Sequence, residues 1–252
     1  MNDNPAYIDI EGNLNSTTMW ETYTDGSLAT SEVHIWKVDI ANSFNYLFRK
    51  YRSILNEQEY QKAKTYFKEQ NVRNFLTGRI ALKLLCSKYS GMPAYTIRFS
   101  ADINKPRLLT PVTLKYNLSY SGNHILISFG NCETGIDAEH INSRFDYEAM
   151  LPICFSEEER NHIKSNSKSC EDFYLQWTRK EAILKFTGQG LFSDLACIPS
   201  LNGTHRLDRE NLKVKENIKL VSFHVSDKEV GSIVYPDNGT DLKYYEWANE
   251  FY

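Results

Sequence analysis

The chain reads as an α+β protein made of two similar halves. Its order of segments predicts this: strand patterns and helical patterns, then strands and helices again, then a closing pair of strands. A length of 252 residues allows one domain or two small ones with a substantial core. Hydrophobic residues at 41% and charged residues at 24% are those of an ordinary globular protein, so neither a fibrous nor a disordered chain is expected.

Residues 1–31 are polar and turn-rich, an extension held by Trp20 and Tyr23. Val33 to Ile40 alternates apolar and polar residues, which predicts a strand. From Ser43 to about Tyr89 the period becomes helical. Asn56 is placed to cap a helix with Glu59 three residues later, and the last helix runs toward Gly91-Met92-Pro93. Strand patterns return at Ile97–Phe99, Leu114–Ser119, Ile125–Phe129 and Gly135–Glu139, the last two read as joined by a turn. Helical patterns cover Phe145–Ile163, where Ser156 and Glu159 form a second capping box, and Glu171–Phe186. Val221–Val225 and Gly231–Tyr235 read as strands. Residue identities alone reveal no internal repeat.

The net charge of −3 argues against a general nucleic-acid binder. The N-terminus lacks a basic segment followed by an apolar one, and no apolar run is long enough to span a bilayer, so neither secretion nor membrane insertion is expected. Five widely spaced cysteines without a C-x-x-C pattern read as reduced thiols, which predicts a cytoplasmic protein.

Two segments carry candidate chemistry. In Gly135-Ile136-Asp137-Ala138-Glu139 the two acids leave one face of a strand. In Trp177-Thr178-Arg179-Lys180-Glu181-Ala182-Ile183-Leu184-Lys185, Glu181 and Lys185 share a helix face. Alone, the acid pair also reads as a solvated strand edge and the Lys/Glu run as helix-stabilising ion pairs. Together, like charges held side by side favour an intervening cation. Oxygen ligands of this kind suit Mg²⁺, which completes its shell with water and substrate phosphate. The large aromatics from Phe173 to Trp177 favour a seated helix over a solvated one, with Trp177 in the core, and Gly188 and Gly190 suit the tight turn that ends it.

These segments resemble the hallmarks of the Sfp-type 4′-phosphopantetheinyl transferases: G-I-D-x-E, then W-x-x-K-E-A-x-x-K, then G-x-G-L at Gly188–Leu191. Phe155-Ser156-Glu157-Glu158-Glu159 resembles the family's F-S-x-x-E element, Asn104-Lys105-Pro106 its G-K-P turn, and Tyr116–Ser121 its F-N-x-S-H-S strand. Arg73–Arg79 resembles the basic helix of its first half, and the match is collinear from about Val33 onward. The resemblance implies two α/β subdomains related by a pseudo-twofold axis, with coenzyme A in the cleft between them. A boundary then falls near Asn131–Glu133, giving an extension over 1–32, an N-terminal subdomain over 33–132, and a C-terminal subdomain over 133–252 that carries the metal and catalytic motifs.

It further implies transfer of the phosphopantetheine arm of coenzyme A to a serine of an apo acyl or peptidyl carrier protein, by a monomer, with adenosine 3′,5′-bisphosphate released. Asp137, Glu139 and Glu181 match the family's metal ligands, Glu181 being either base or ligand alone. Lys180 and Lys185 match lysines near the phosphates, with Lys185 stabilising the leaving group. Lys105, Ser119, Tyr120 and Arg73 match positions that hold coenzyme A, with Arg79 an alternative to Arg73. Tyr120 stands where the family has histidine; a phenol donates to phosphate oxygen but is not cationic near neutral pH. Two other classes stay open: a metal phosphohydrolase acting on coenzyme A without a carrier, and a binding protein that holds coenzyme A or a carrier without transfer.

Overall fold

In the computed structural model the described residues are 5–12, 18–24, 27–100, 102, 106–109, 113–190, 194–207, 212 and 214–249. The chain divides into two compact units: a first unit of residues 19–131 and 241–252, and a second of residues 1–18 and 132–240. Among the described residues no helix is long and apolar enough to cross a membrane.

The first unit starts with β2 (Glu21–Thr22) and β3 (Glu32–Asp39), then α1 (Ile40–Tyr51), α2 (Glu57–Lys64) and α3 (Glu69–Ser90). A hairpin of β4 (Lys115–Ser121) and β5 (His124–Gly130) follows, and β10 (Asp241–Glu246) completes a sheet in the order β2-β10-β3-β5-β4. Its core is the α3 face of Leu76, Ile80, Leu84 and Leu85 against Trp36, Val38, Ile125, Ile127 and Phe129. The hairpin turn also starts α1: Asn123 accepts from the Ile40 and Ala41 amides and donates to Asp39, the α1 N-cap.

The second unit contains β1 (Ala6–Glu11), β6 (Gly135–His140), α4 (Leu151–Cys154), α5 (Glu157–Ser165), α6 (Ser169–Thr187), β7 (Gly203–Leu207), β8 (Ile218–Ser226) and β9 (Glu229–Pro236). Its sheet runs β6-β9-β8-β1-β7. Twelve residues of α6 are buried, against Ile136 and Ala138's strand on one side and the Phe155–Phe173 cluster on another. A helix buried nearly all round has little amphipathic period, which is why 171–186 reads from the sequence as helix but shows no preferred apolar face.

Several sequence readings change. Ala6–Glu11, read as part of an extension, is an inner strand paired parallel to β8 and antiparallel to β7. Ile97–Phe99 provides only an isolated bridge, Phe99 to Leu108. β5 and β6 do not pair: β5 joins β4 across Gly122-Asn123, whereas β6 pairs β9 in the other sheet. Phe145 precedes the first helical turn, at Glu148.

Each unit contains the same device. A strand leads through a capping-box helix into a long helix and, later, a hairpin (β4-β5 in the first unit, β8-β9 in the second, where β7 intervenes), and the first strand pairs antiparallel with the last: β3 with β5, and β6 with β9. In α2, Asn56 and Glu59 cap reciprocally; in α5, Ser156 and Glu159 do so. The capping glutamate then receives a buried lysine of the long helix. Lys83 Nζ lies 2.8 Å from Glu59 and donates to the Ile54 carbonyl; Lys180 Nζ lies 2.9 Å from Glu159 and donates to the Leu195 and Ile198 carbonyls. Burial pulls both lysines below the ordinary range and their glutamates oppose it. Both long helices end at a left-handed glycine, Gly91 and Gly188, each at φ 71°.

Removing one partner of such a pair leaves an uncompensated buried charge. Lys180→Met is therefore expected to cost about 3–5 kcal/mol, and the double variant Glu159→Gln/Lys180→Met to recover part of it. Urea denaturation measures both. A single-variant loss below about 0.5 kcal/mol, as at an ordinary surface site, would show that the pair does not hold α5 to α6.

Candidate functional site

Gly135 sets the geometry of the acidic centre. A Cβ there would lie 2.1 Å from the Ala182 carbonyl oxygen and 2.3 Å from the Phe186 nitrogen, so strand and helix backbones meet where only glycine fits. Gly135, Asp137 and Glu139 share one strand face, and that face therefore looks onto α6. Moving along β6, the contacts step backward along α6. Gly135 lies at 182 and 186, Asp137 at Lys185, and Glu139 at Trp177, whose indole N–H donates to its carboxylate. Glu181, one turn from both Trp177 and Lys185, comes between the two acids.

The three carboxylates interact. Burial, then Asp137 and Glu181, push Glu139 up to about 7, against Lys185 and the Trp177 hydrogen bond. Burial and Asp137 also raise Glu181, which Lys185 opposes. Lys185 Nζ lies 2.6 Å from Asp137 Oδ1 and is part-exposed over a buried acid. Among the described residues, no three His, Cys, Asp or Glu side chains are gathered closely enough to hold one metal ion. The donor set is still that of a hard divalent ion: oxygen-only, like-charged and mutually unfavourable until a cation neutralises it. Here the Lys185 ammonium performs part of that neutralisation.

The other sequence-derived positions divide. Lys180 does not suit a phosphate contact, because the ammonium is 1% exposed and committed to Glu159 and two carbonyls. Arg73 is half-exposed, lies 2.6 Å from Glu69 and covers the Phe44 ring. Lys105 lies outside the described residues. Ser119 and Tyr120 are neighbours on β4 and leave opposite faces: Ser119 is buried beside Asn117 and Ser121, while the Tyr120 hydroxyl lies over Gly78 of α3. Two side chains on opposite faces of one strand do not converge on one phosphate oxygen.

Arg79 is the cation beside Tyr120. Tyr120 is 39% exposed overall, but its hydroxyl is enclosed against Gly78, and burial there pushes the phenol up to about 12 while Arg79 opposes it; the guanidinium also stacks on Phe99, 4.5 Å from its centroid. The phenol therefore stays protonated, a donor. Gly78 was the missed signal, since it alone leaves room for that ring. Trp177, read as core, does pack on the Phe155–Phe173 cluster, and it is also part-exposed with its N–H holding Glu139.

A glycine-locked strand and a buried helix thus present acids and a lysine face to face. Residues 133–233 match the family model of the 4′-phosphopantetheinyl transferase superfamily. The chain is 27% identical over 172 residues to the 4′-phosphopantetheinyl transferase HetI of Nostoc, covering 66% of this chain and 72% of that protein. It is 24% identical over 152 residues to Sfp of Bacillus subtilis, covering 56% and 64%, and 32% identical over 124 residues to AcpT of Salmonella typhi, covering 47% and 62%. The chain is thus similar to these 4′-phosphopantetheinyl transferases over about half to two thirds of its length. For most relatives matched, including one from Synechocystis, the aligned part spans only 61–64% of their own length.

The raised Glu139 acid gives a pH test. Its folded value lies above the unfolded one, so its contribution to stability is full below about pH 4.5 and is lost as pH rises through about 7. In metal-free buffer Glu139→Gln should leave Tm near wild type at about pH 4 and raise it at about pH 8. An equal offset at both pH values would show that Glu139 is not held in its acid form.

Proposed function

We propose that this chain transfers the 4′-phosphopantetheine arm of coenzyme A to a serine of an apo acyl or peptidyl carrier protein, as a Mg²⁺-dependent cytoplasmic monomer. The observation that carries the reading is the face-to-face set of Asp137, Glu139, Glu181 and Lys185, all within the matched residues. The serine oxygen bonds to the pantetheine-side phosphorus, the diphosphate bridge breaks there, and adenosine 3′,5′-bisphosphate leaves. Asp137, Glu139 and Glu181 would hold the ion. Bound Mg²⁺ supplies neutralisation of the diphosphate charge.

Glu181, raised above the ordinary carboxylate range, takes the serine proton. Lys185, one hydrogen bond from Asp137, stabilises negative charge that grows on the leaving oxygen. On the coenzyme A side, Tyr120 with Arg79 is better supported than Arg73, because the phenol and guanidinium are neighbours. Ser119 and Lys105 remain assignments from motif resemblance alone.

The test is to incubate an apo carrier with coenzyme A and Mg²⁺ and weigh it. A gain of one phosphopantetheine is expected, with Glu181→Gln nearly inactive and Lys185→Met slower by about a hundredfold or more. Coenzyme A turnover without a carrier would indicate a phosphohydrolase, and coenzyme A binding with no product on any carrier would indicate a binding protein.

A further inference from the structure

We infer that the second unit carries a binding site for a small linear zwitterion, with an ammonium group at one end and a carboxylate at the other. The site is a cavity of about 520 Å³ bounded by Gly12, His162, Lys168, Asp172, Arg179 and Asn202. It lies on a different face of α6 from Glu181 and Lys185, and it does not rest on the transferase reading.

Two buried ionisable groups that the proposed reaction does not use border this cavity. Arg179 is 3% exposed. Its Nε donates to Ser222 Oγ at 2.9 Å and its Nη1 to the Ser200 carbonyl at 2.6 Å. Its Nη2 donates to Asn202 Oδ1 at 2.8 Å and the Gly12 carbonyl at 3.4 Å. All four acceptors are neutral, and among the described residues no carboxylate lies within ion-pairing distance of the guanidinium. The carboxylate whose charge acts on it is Asp172, on the wall of the same cavity but outside ion-pairing contact, whereas buried charges are ordinarily paired closely.

Asp172 has the complementary need. It is 6% exposed and accepts from Gln176 Nε2 at 2.9 Å; the exposed His162 ring lies 3.7 Å away, and Arg179 is the permanent cation whose charge acts on it from the same helix. The other charges at the cavity cancel, Lys168 lying 3.3 Å from Glu171. Asp172 stands seven residues before Arg179, so the two share a helix face, their backbone positions about 10 Å of helix rise apart. A plain anion would meet Asp172, and a plain cation would meet Arg179. A ligand neutral overall, its charges separated by several methylenes, satisfies both.

The floor is preorganised. Gln176 Nε2 donates to Asp172, and the Ser200 hydroxyl, with one proton to donate, lies 2.6 Å from Glu159 Oε1 and 3.0 Å from Gln176 Oε1.

Calorimetric titration of the full chain with 6-aminohexanoate, hexanoate and hexylamine tests the site with no coenzyme A, metal or carrier present. The ω-amino acid is expected to bind about tenfold tighter than either single-ended analogue, the scale of one charge-assisted hydrogen bond. Asn202→Asp, which sets a carboxylate against Arg179, should lower that affinity to the level of hexylamine. Asp172→Asn should lower it to the level of hexanoate. Should either variant fail to fold, Leu201, also in the cavity wall, offers Leu201→Trp, which narrows the cavity without altering charge and should abolish binding. Equal affinity for the three probes, no binding of 6-aminohexanoate, or binding unchanged in the folded variants would each overturn the assignment.

Discussion

The contact of the Gly135 backbone with Ala182 and Phe186 is the constraint on which the acidic centre depends. Side-chain packing lets a strand slide or tilt on a helix by fractions of an ångström, but a backbone-to-backbone contact does not. With that point fixed, the two-residue strand period and the helical repeat determine which side chains meet. Asp137 falls to Lys185, Glu139 to Trp177, and Glu181 between them. The electrostatic strain of three neighbouring carboxylates follows from the same point, and Lys185 relieves part of it.

Behind this centre, α6 is held by polar groups as much as by apolar ones. The Thr178 and Ser232 hydroxyls lie 2.9 Å apart, Ser232 and Ser222 lie 3.0 Å apart, and Arg179 donates to Ser222. Ser232 also stands opposite Asp137 in the sheet register. On another side the Lys180–Glu159 pair ties α6 to α5. Buried polar contacts of this kind are directional and specify one orientation of the helix about its axis, which apolar packing alone does less sharply. The first unit uses its equivalent pair, Lys83 and Glu59, although it carries no acidic trio. The pair is thus a device of the fold, separable from the chemistry.

What could be read from the sequence depended on the range of the interaction. The strand-borne acid pair, both capping boxes and the glycine that ends α6 follow from spacings of a few residues, and each is found in the structure. The burial of Lys180 could not be read locally, because its partner Glu159 lies 21 residues away in the chain. Arg73 and Arg79 are indistinguishable by type; only the ring that Gly78 admits shows which one stands beside Tyr120. Ser119 and Tyr120 look like one motif in sequence, although strand geometry sends them to opposite faces. β1 is short and sits in a polar stretch, so its partners, β7 and β8, could not be read locally.

The strand exchange between the ends of the chain bears on how the molecule is made. β10 lies between β2 and β3, and β1 lies between β8 and β7. On the ribosome, the first-made sheet therefore stays incomplete until the last segment has emerged, while the opening strand waits for partners from residue 203 onward. The sheet of the first unit is therefore completed after that of the second, although most of its strands are made first.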